Sequence, residues 1–328
     1  MLRAYIRASD AELRRIDAGE AVTRTLQSPD GREITTVGAI RVNCTADTFL
    51  ARVREIERFK TGEYLLQIGR FSAQPSAADA SALVVDDDRG ALRTCRPGSC
   101  TWRLPANAMP ELRRAIAWGA THEAETANTA VRSLLADEAA AYVAGGSAAL
   151  RNYADQDDGL SRLAAFKGLL RPSPFRSEYQ AEVFDFLDRV PAQPAEGIES
   201  VLYWSRERFG LKPMIAITHS AIARRGDDVV FASKQIYTNH YFDASLGMSV
   251  YVPEPGTSYG YVTYMNRTRV EGLHGPMAGL VRTIASRRGR DGLEKTLLDV
   301  RRKLETSDSR LKFSQEEGRK GDLFFLFF

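Results

Sequence analysis

The sequence predicts an α+β fold in which a curved antiparallel sheet grips a long C-terminal helix and a helical insertion interrupts the β-rich parts. Three observations predict it. After Gly197, β-branched and aromatic residues recur in five runs joined by short turns. Between about residues 106 and 190 the chain is alanine-rich, and apolar residues such as Leu163, Phe166, Leu169 and Leu170 recur at i, i+3 and i+4. From Met277 onward, Leu280, Val281 and Ile284, then Leu293, Leu297, Val300 and Leu304, form an apolar stripe on one long helix.

The elements follow in order. Ser9 to Ile16 reads as a helix closed by Ala18 and Gly19. Val22–Leu26 and 33–43 alternate as strands across a Ser28-Pro-Asp-Gly31 turn, a hairpin signature. Thr45 offers an N-terminal cap for a helix carrying Phe49, Val53 and Ile56. Strand patterns return at 63–71, with short runs near 82–85 and 101–104. The helical block follows, with Leu112/Ile116 and Val131/Leu134/Leu135 on apolar faces, and is expected beside the mouth of the fold as an insertion or lid. Pro172-Ser-Pro174 breaks it before a last helix with Val183, Phe184, Phe186 and Leu187. Pro191 to Gly197 is the best linker candidate. Strands are then expected at 200–206, 213–224, 228–242, 246–252 and 259–270. One domain spanning 9–305 is expected, with a polar and then Phe-rich tail over 306–328.

Composition bounds the function. Of 328 residues, 44% are hydrophobic and 27% charged, which excludes a disordered chain. No run approaches the roughly 18 apolar residues of a membrane-spanning helix. A net charge of +3 is too small to imply a nucleic-acid partner. The first residues lack the apolar stretch of an export signal, so the chain as given reads as cytoplasmic, or as periplasmic or secreted if such a segment has been removed. Cys95 and Cys100 flank Arg-Pro-Gly-Ser, a tight turn; the pair is either a disulfide stapling a hairpin or two reduced thiols beside it, with Cys44 left over.

No motif names a reaction. The chain has no Gly-x-Ser-x-Gly elbow, no phosphate-binding loop, no dinucleotide fingerprint and no HExxH, so neither a cofactor nor a metal is expected. Asp86–Gly90 and Asp155–Gly159 place glycine one position early for calcium loops and read as solvated turns. The richest stretch is 233–243. As a regular strand it puts Ser233, Gln235, Tyr237, Asn239 and Tyr241 on one face, joining aromatic surface to hydrogen-bonding tips. His219 and His240 are the histidines in expected strands; either could be a general base with Asp243 or Glu207 as partner, and either could be structural. His122 and His274 read as an exposed residue and a turn residue. Arg282, Arg287, Arg288, Arg290, Arg301, Arg302 and Lys303 form the densest basic cluster, a contact for phosphates of lipid head groups or nucleic acid, or a mixed solvated helix face.

Several strings carry a resemblance: Leu66–Ser72 (LQIGRFS), the Cys95–Cys100 hexapeptide, Lys212–His219 (KPMIAITH), Ala232–Tyr241 (ASKQIYTNHY) and Asn266–Arg269 (NRTR). With the element order, they resemble a group of uncharacterised bacterial proteins of the START-like, helix-grip superfamily of polyketide-cyclase and lipid-transfer proteins. The resemblance covers most of residues 10–305. It implies a hydrophobic, lipid-like ligand in a cavity between sheet and C-terminal helix, with only occasional catalysis, and export, which favours the Cys95–Cys100 disulfide. The expected wall residues are Tyr203, Gln235, Tyr237, Tyr241, Tyr264 and Asn266, with Arg267 as a carboxylate or phosphate anchor. Two alternatives stand beside this non-catalytic reading. One is a cyclase- or hydrolase-type enzyme using the same cavity with a histidine base. The other is a protein-interaction module presenting the helical block and the Phe-rich tail.

Overall fold

The computed structural model describes residues 2–28, 30–85, 88–156, 161–170, 178–188, 196–270, 273 and 278–306. The Phe-rich tail, His274 and most of the Pro191–Gly197 linker lie outside them. Helices α1 (Leu2–Tyr5) and α2 (Asp10–Asp17) open the chain, and Ser9 and Glu12 form a reciprocal capping box on α2. Strands β1 (Val22–Leu26) and β2 (Glu33–Val42) make the first hairpin. Thr45 caps α3 (Ala46–Arg54), followed by α4 (Ile56–Phe59) and β3 (Leu65–Arg70). The short strands expected at 82–85 and 101–104 are irregular, and two 3-10 turns (Ala77–Ala80, Arg89–Thr94) flank the first of them. Helices α5 (Ala108–Ala115), α6 (Glu123–Gly145), α7 (Arg162–Leu169) and α8 (Glu178–Asp188) form that block. Then come β4 (Ile198–Phe209), β5 (Lys212–Arg225), β6 (Asp228–Thr238), β7 (Phe242–Pro253), β8 (Gly260–Val270) and the long α9 (Ala278–Glu305).

The strands form one curved antiparallel sheet in the order β1-β2-β8-β7-β6-β5-β4-β3. Strands β4 to β8 are a meander, as expected of long runs separated by short loops. Two of the turns are two-residue loops: Phe209 pairs with Lys212 and Arg225 with Asp228, and Gly210 and Gly226 each take the positive φ of 60° that such a loop demands. The first hairpin closes one side through β2 on β8, and β3 closes the other on β4.

Helices cover both faces. On one, α3, α4 and the C-terminal half of α9 bury Phe49, Val53, Leu293 and Leu297 against Ile40, Phe231, Tyr251 and Val262. On the other, α5 and α6 pack over Trp204, Ile217 and Tyr237, while α1, α2, α7 and α8 cover Val37, Val230, Leu246 and Met248. The helical block is therefore a second packing layer on the face opposite α9, and not a lid beside that helix. Its physical origin is the apolar composition of both sheet faces, each of which must be covered.

Helix α9 seats on β2 and β1 because Gly38 lets it approach. A Cβ at Gly38 would lie 2.8 Å from Leu297 Cδ1, 2.9 Å from Thr23 Cγ2 and 3.1 Å from Val22 O. Gly38→Ala is expected to lower stability by about 1–3 kcal/mol, read as a fall in the urea midpoint at unchanged m. Only the C-terminal half of α9 joins the core. Leu280 and Ile284, expected on its apolar stripe, are 53% and 44% exposed.

Candidate functional site

Opposite residues of an antiparallel pair share a face, so the register lays out the floor beneath α9. One row runs from β4 to β8 as Tyr203, Thr218, Gln235, Ser245 and Thr268. The next runs from β5 to β2 as Ser220, Ser233, Gly247, Asn266 and Thr36. All the side chains in both rows are buried. A sheet face turned inward is ordinarily apolar, and on this one the next rows, Ser249 apart, are (Phe231, Ile222, Val262). Two consecutive rows of hydroxyls and amides across five strands are a departure with a cost.

Part of that cost is offset within the belt. Ser245 Oγ and Thr268 Oγ1 are 2.9 Å apart, Asn266 Nδ2 donates to Ser245 Oγ at 3.2 Å, and Thr268 Oγ1 donates to Asn266 Oδ1 at 2.5 Å. The rest is not. Thr36 Oγ1, Ser249 Oγ in the neighbouring row, and both the nitrogen and oxygen of Gln235 have no hydrogen-bond partner among the described residues. The hydroxyls of Thr218 and Ser220 lie beside Tyr203 without reaching hydrogen-bond geometry. Each buried polar atom left unpaired costs about 1–3 kcal/mol, and proteins ordinarily satisfy such atoms with ordered water or a bound molecule.

The sheet's curvature closes the belt. Tyr203 on β4 and Tyr264 on β8 stand four strands apart, roughly 19 Å along a flat sheet, yet Lys60 acts on the ionisation of both, and Tyr203 on that of Tyr264. Burial pushes both phenols up, so both remain protonated donors. Lys60 itself is fully enclosed at the end of α4 and pairs with Glu207 at 3.0 Å. Burial opposes its charge, but Glu207, Tyr203 and Tyr64 together outweigh that and its pKa rises. Ser205 donates to Glu207 at 2.6 Å, completing the pair's hydrogen bonds on the sheet side.

Of the wall residues expected from sequence, Tyr203, Gln235, Tyr264 and Asn266 lie on or beside the belt. Tyr237, Tyr241 and Arg267 do not. A bulge sets the first apart: Gln235 pairs with Thr218 and Tyr237 with Ile217, so Ile236 is an extra residue and Tyr237 turns to the opposite face, packed under the helical block. Strand β6 then ends at Thr238, and Tyr241, with φ 68°, sits in the turn with its hydroxyl accepting from Lys212 N at 2.8 Å. Arg267 faces away from the belt, clamped on Glu33 at 2.6 Å and donating to Leu169 O, so it anchors α7 and not a ligand.

The histidines also leave the belt, and neither takes the partner expected of it. His219 faces the helical block, with Nδ1 3.0 Å from Tyr142 Oη, and burial lowers its pKa to about 3, so it is neutral at physiological pH. His240 Nε2 meets Asp88 at 2.7 Å, and Asp88 also receives Lys212 and Trp102. Asp243 is taken by Arg103 and Arg269, and Glu207 by Lys60. His122 is exposed at the start of α6. Sequence reasoning missed Thr36, Lys60, Thr218 and Ser220. The signal was the small polar pair Thr218/Ser220 at period two inside an otherwise apolar run.

Cys95 and Cys100 are joined in a disulfide across the Arg96–Ser99 hairpin, with Cα atoms 4.4 Å apart. Burial pushes the Cys44 thiol up to about 12, which leaves it unreactive. A surface groove of about 410 Å³ lies between α5 and α6, floored by Leu112 and Leu134 and rimmed by Glu111, Glu125 and Asp137. None of the expected wall residues line it. Among the described residues, no cluster of three or more His, Cys, Asp or Glu could hold a metal ion, and no helix is long and apolar enough to cross a membrane. No family model matches the chain, and no curated protein matches it.

Proposed function

We propose that this chain binds a small, lipid-like molecule without chemically changing it, holding the molecule's polar end on the belt beneath α9. One observation carries the reading: two rows of buried hydroxyl and amide groups, several of them without a partner among the described residues, in the middle of a sheet face that is otherwise packed. A floor so costly to the empty protein is explained by a ligand that completes its hydrogen bonds. The order of elements supports taking sheet and helix as a START-like helix grip. Binding is favoured over cyclase or hydrolase chemistry because His219 and His240 both lie off the belt.

The first half of α9 supports transient contact with a membrane surface. Leu280 and Ile284 are exposed, and Arg287, Arg288 and Arg290 surround the next turns. That arrangement suits an amphipathic helix resting on anionic lipid.

The test is native mass spectrometry of the purified chain, repeated after organic denaturation. The expected result is a released species on the order of a few hundred daltons. A clean apo mass, both as purified and after incubation with a total lipid extract, would count against the proposal.

A further inference from the structure

We infer that the group held on the belt is uncharged and polyhydroxylated, a sugar or cyclic polyol, either free or as the head of a lipid. This rests on the belt being the binding surface proposed above. The chemistry of the unpartnered atoms points to it. Gln235 presents one donor and one acceptor side by side, and Thr36, Ser220 and Ser249 present hydroxyls that can both give and accept. A hydroxyl-rich ring is matched in kind, because each of its oxygens also gives and accepts. Gln235 and Ser220 are diagonal neighbours on adjacent strands, about 7–8 Å apart at the backbone, within reach of one polyol ring; Thr36 on β2 and Ser249 on β7 stand farther along the same concave face. Tyr203 in the belt and Tyr264 in the row beside it supply aromatic rings, suited to the apolar faces of such a ring.

Charge excludes the competing head groups. Lys60 and Glu207, beside Tyr203 in the belt, neutralise each other at 3.0 Å. Arg267, the one guanidinium that sequence placed near this surface, faces the other way on Glu33. A phosphate, carboxylate or quaternary ammonium on the belt would be stripped of water with no counter-charge, at a cost of several kcal/mol. A neutral polyol incurs no such cost.

The experiment is isothermal titration of the full chain with n-octyl-β-D-glucoside below its micelle concentration, with D-glucose, and with octyl phosphate. Octyl glucoside is expected to bind, and octyl phosphate to bind at least tenfold more weakly. Glucose binding as well would assign recognition to the free sugar; glucose failing where octyl glucoside binds would assign it to a lipid head. Gln235→Leu is expected to weaken glucoside binding about tenfold or more. Thr36→Val, nearly isosteric, is the second variant. It removes an unpartnered hydroxyl, so the empty protein should melt higher while glucoside affinity falls, a pairing that a merely structural role for Thr36 does not produce. Octyl phosphate binding as tightly as the glucoside, and weakened by Gln235→Leu, overturns the uncharged ligand but keeps the belt as the site. Glucoside binding that neither variant alters overturns the site itself. No binding of glucoside or glucose overturns this inference, while the co-purification test decides the broader proposal separately.

Discussion

Glu138→Ala is expected to destabilise the protein by about 3–5 kcal/mol, the largest effect of any single change considered. Glu138 is buried on α6 and accepts from Arg162 at 2.6 Å and Arg151 at 2.8 Å. Arg162, equally buried on α7, also donates to Ile236 O at the bulge of β6. The triad thus pins two helices of the layer to the one irregular point of the central strand. Without Glu138, Arg162 becomes a buried charge with no counter-ion, which is where most of the cost arises. Urea unfolding followed by circular dichroism measures it. The double variant Glu138→Ala/Arg162→Met should recover much of the loss, because the stranded charge goes too. A single variant within 1 kcal/mol of the parent would show that the guanidinium finds water, and that the layer is held by apolar packing alone.

Stability is also expected to rise by about 2–3 kcal/mol between pH 7 and pH 9, and Lys234 is the cause. Its amine is enclosed between sheet and helices, 3.7 Å from the Phe166 ring centre and donating to Ser147 Oγ and Leu187 O. Burial, reinforced by Arg162 and opposed by Asp188, lowers its pKa from 10.5 to about 7. His219 and Tyr142 share the pocket. Between about 7 and 10.5 the unfolded chain therefore holds a proton that the folded one has lost. Raising the pH removes that penalty and stabilises the fold, by about 1.4 kcal/mol per unit. The upper limit of pH 9 matters. The buried tyrosines and Cys44 have raised pKa values, so the folded state keeps protons that the unfolded state loses, and stability falls again above about pH 9–10. Guanidinium unfolding at half-unit pH steps checks the curve. Lys234→Met should flatten it, and an unchanged slope in that variant would assign the effect elsewhere.

These two groups show how far the sequence could be read. Lys234 and Ile236 belong to the stretch that looked richest in chemistry, and the strand itself was legible from its residues. Its two faces were not. Strict alternation placed Gln235 and Tyr237 together, but one extra residue at Ile236 sends them to opposite sides of the sheet. Bulges have no periodic signature, because a bulge is defined by the partner strand. The histidines failed for a related reason. His240 and Asp88 are 152 residues apart, and nothing local to either marks the pairing. The belt shares that property, since each strand contributes only one or two small polar residues to it.

What the sequence by itself determined is the local order. All eight strands, the capped helices α2 and α3, the long α9 and the Cys95–Cys100 hairpin follow from period, caps and turn residues within a few positions of one another. Tertiary structure alone decided which side each residue faces, that the helical block covers the sheet opposite α9, and that polar residues from six strands meet in one buried belt. The physical reason is that alternation fixes a strand's two faces only relative to each other. Register, bulges and the competition of two helical layers for two apolar faces assign them absolutely, and those are properties of the whole chain.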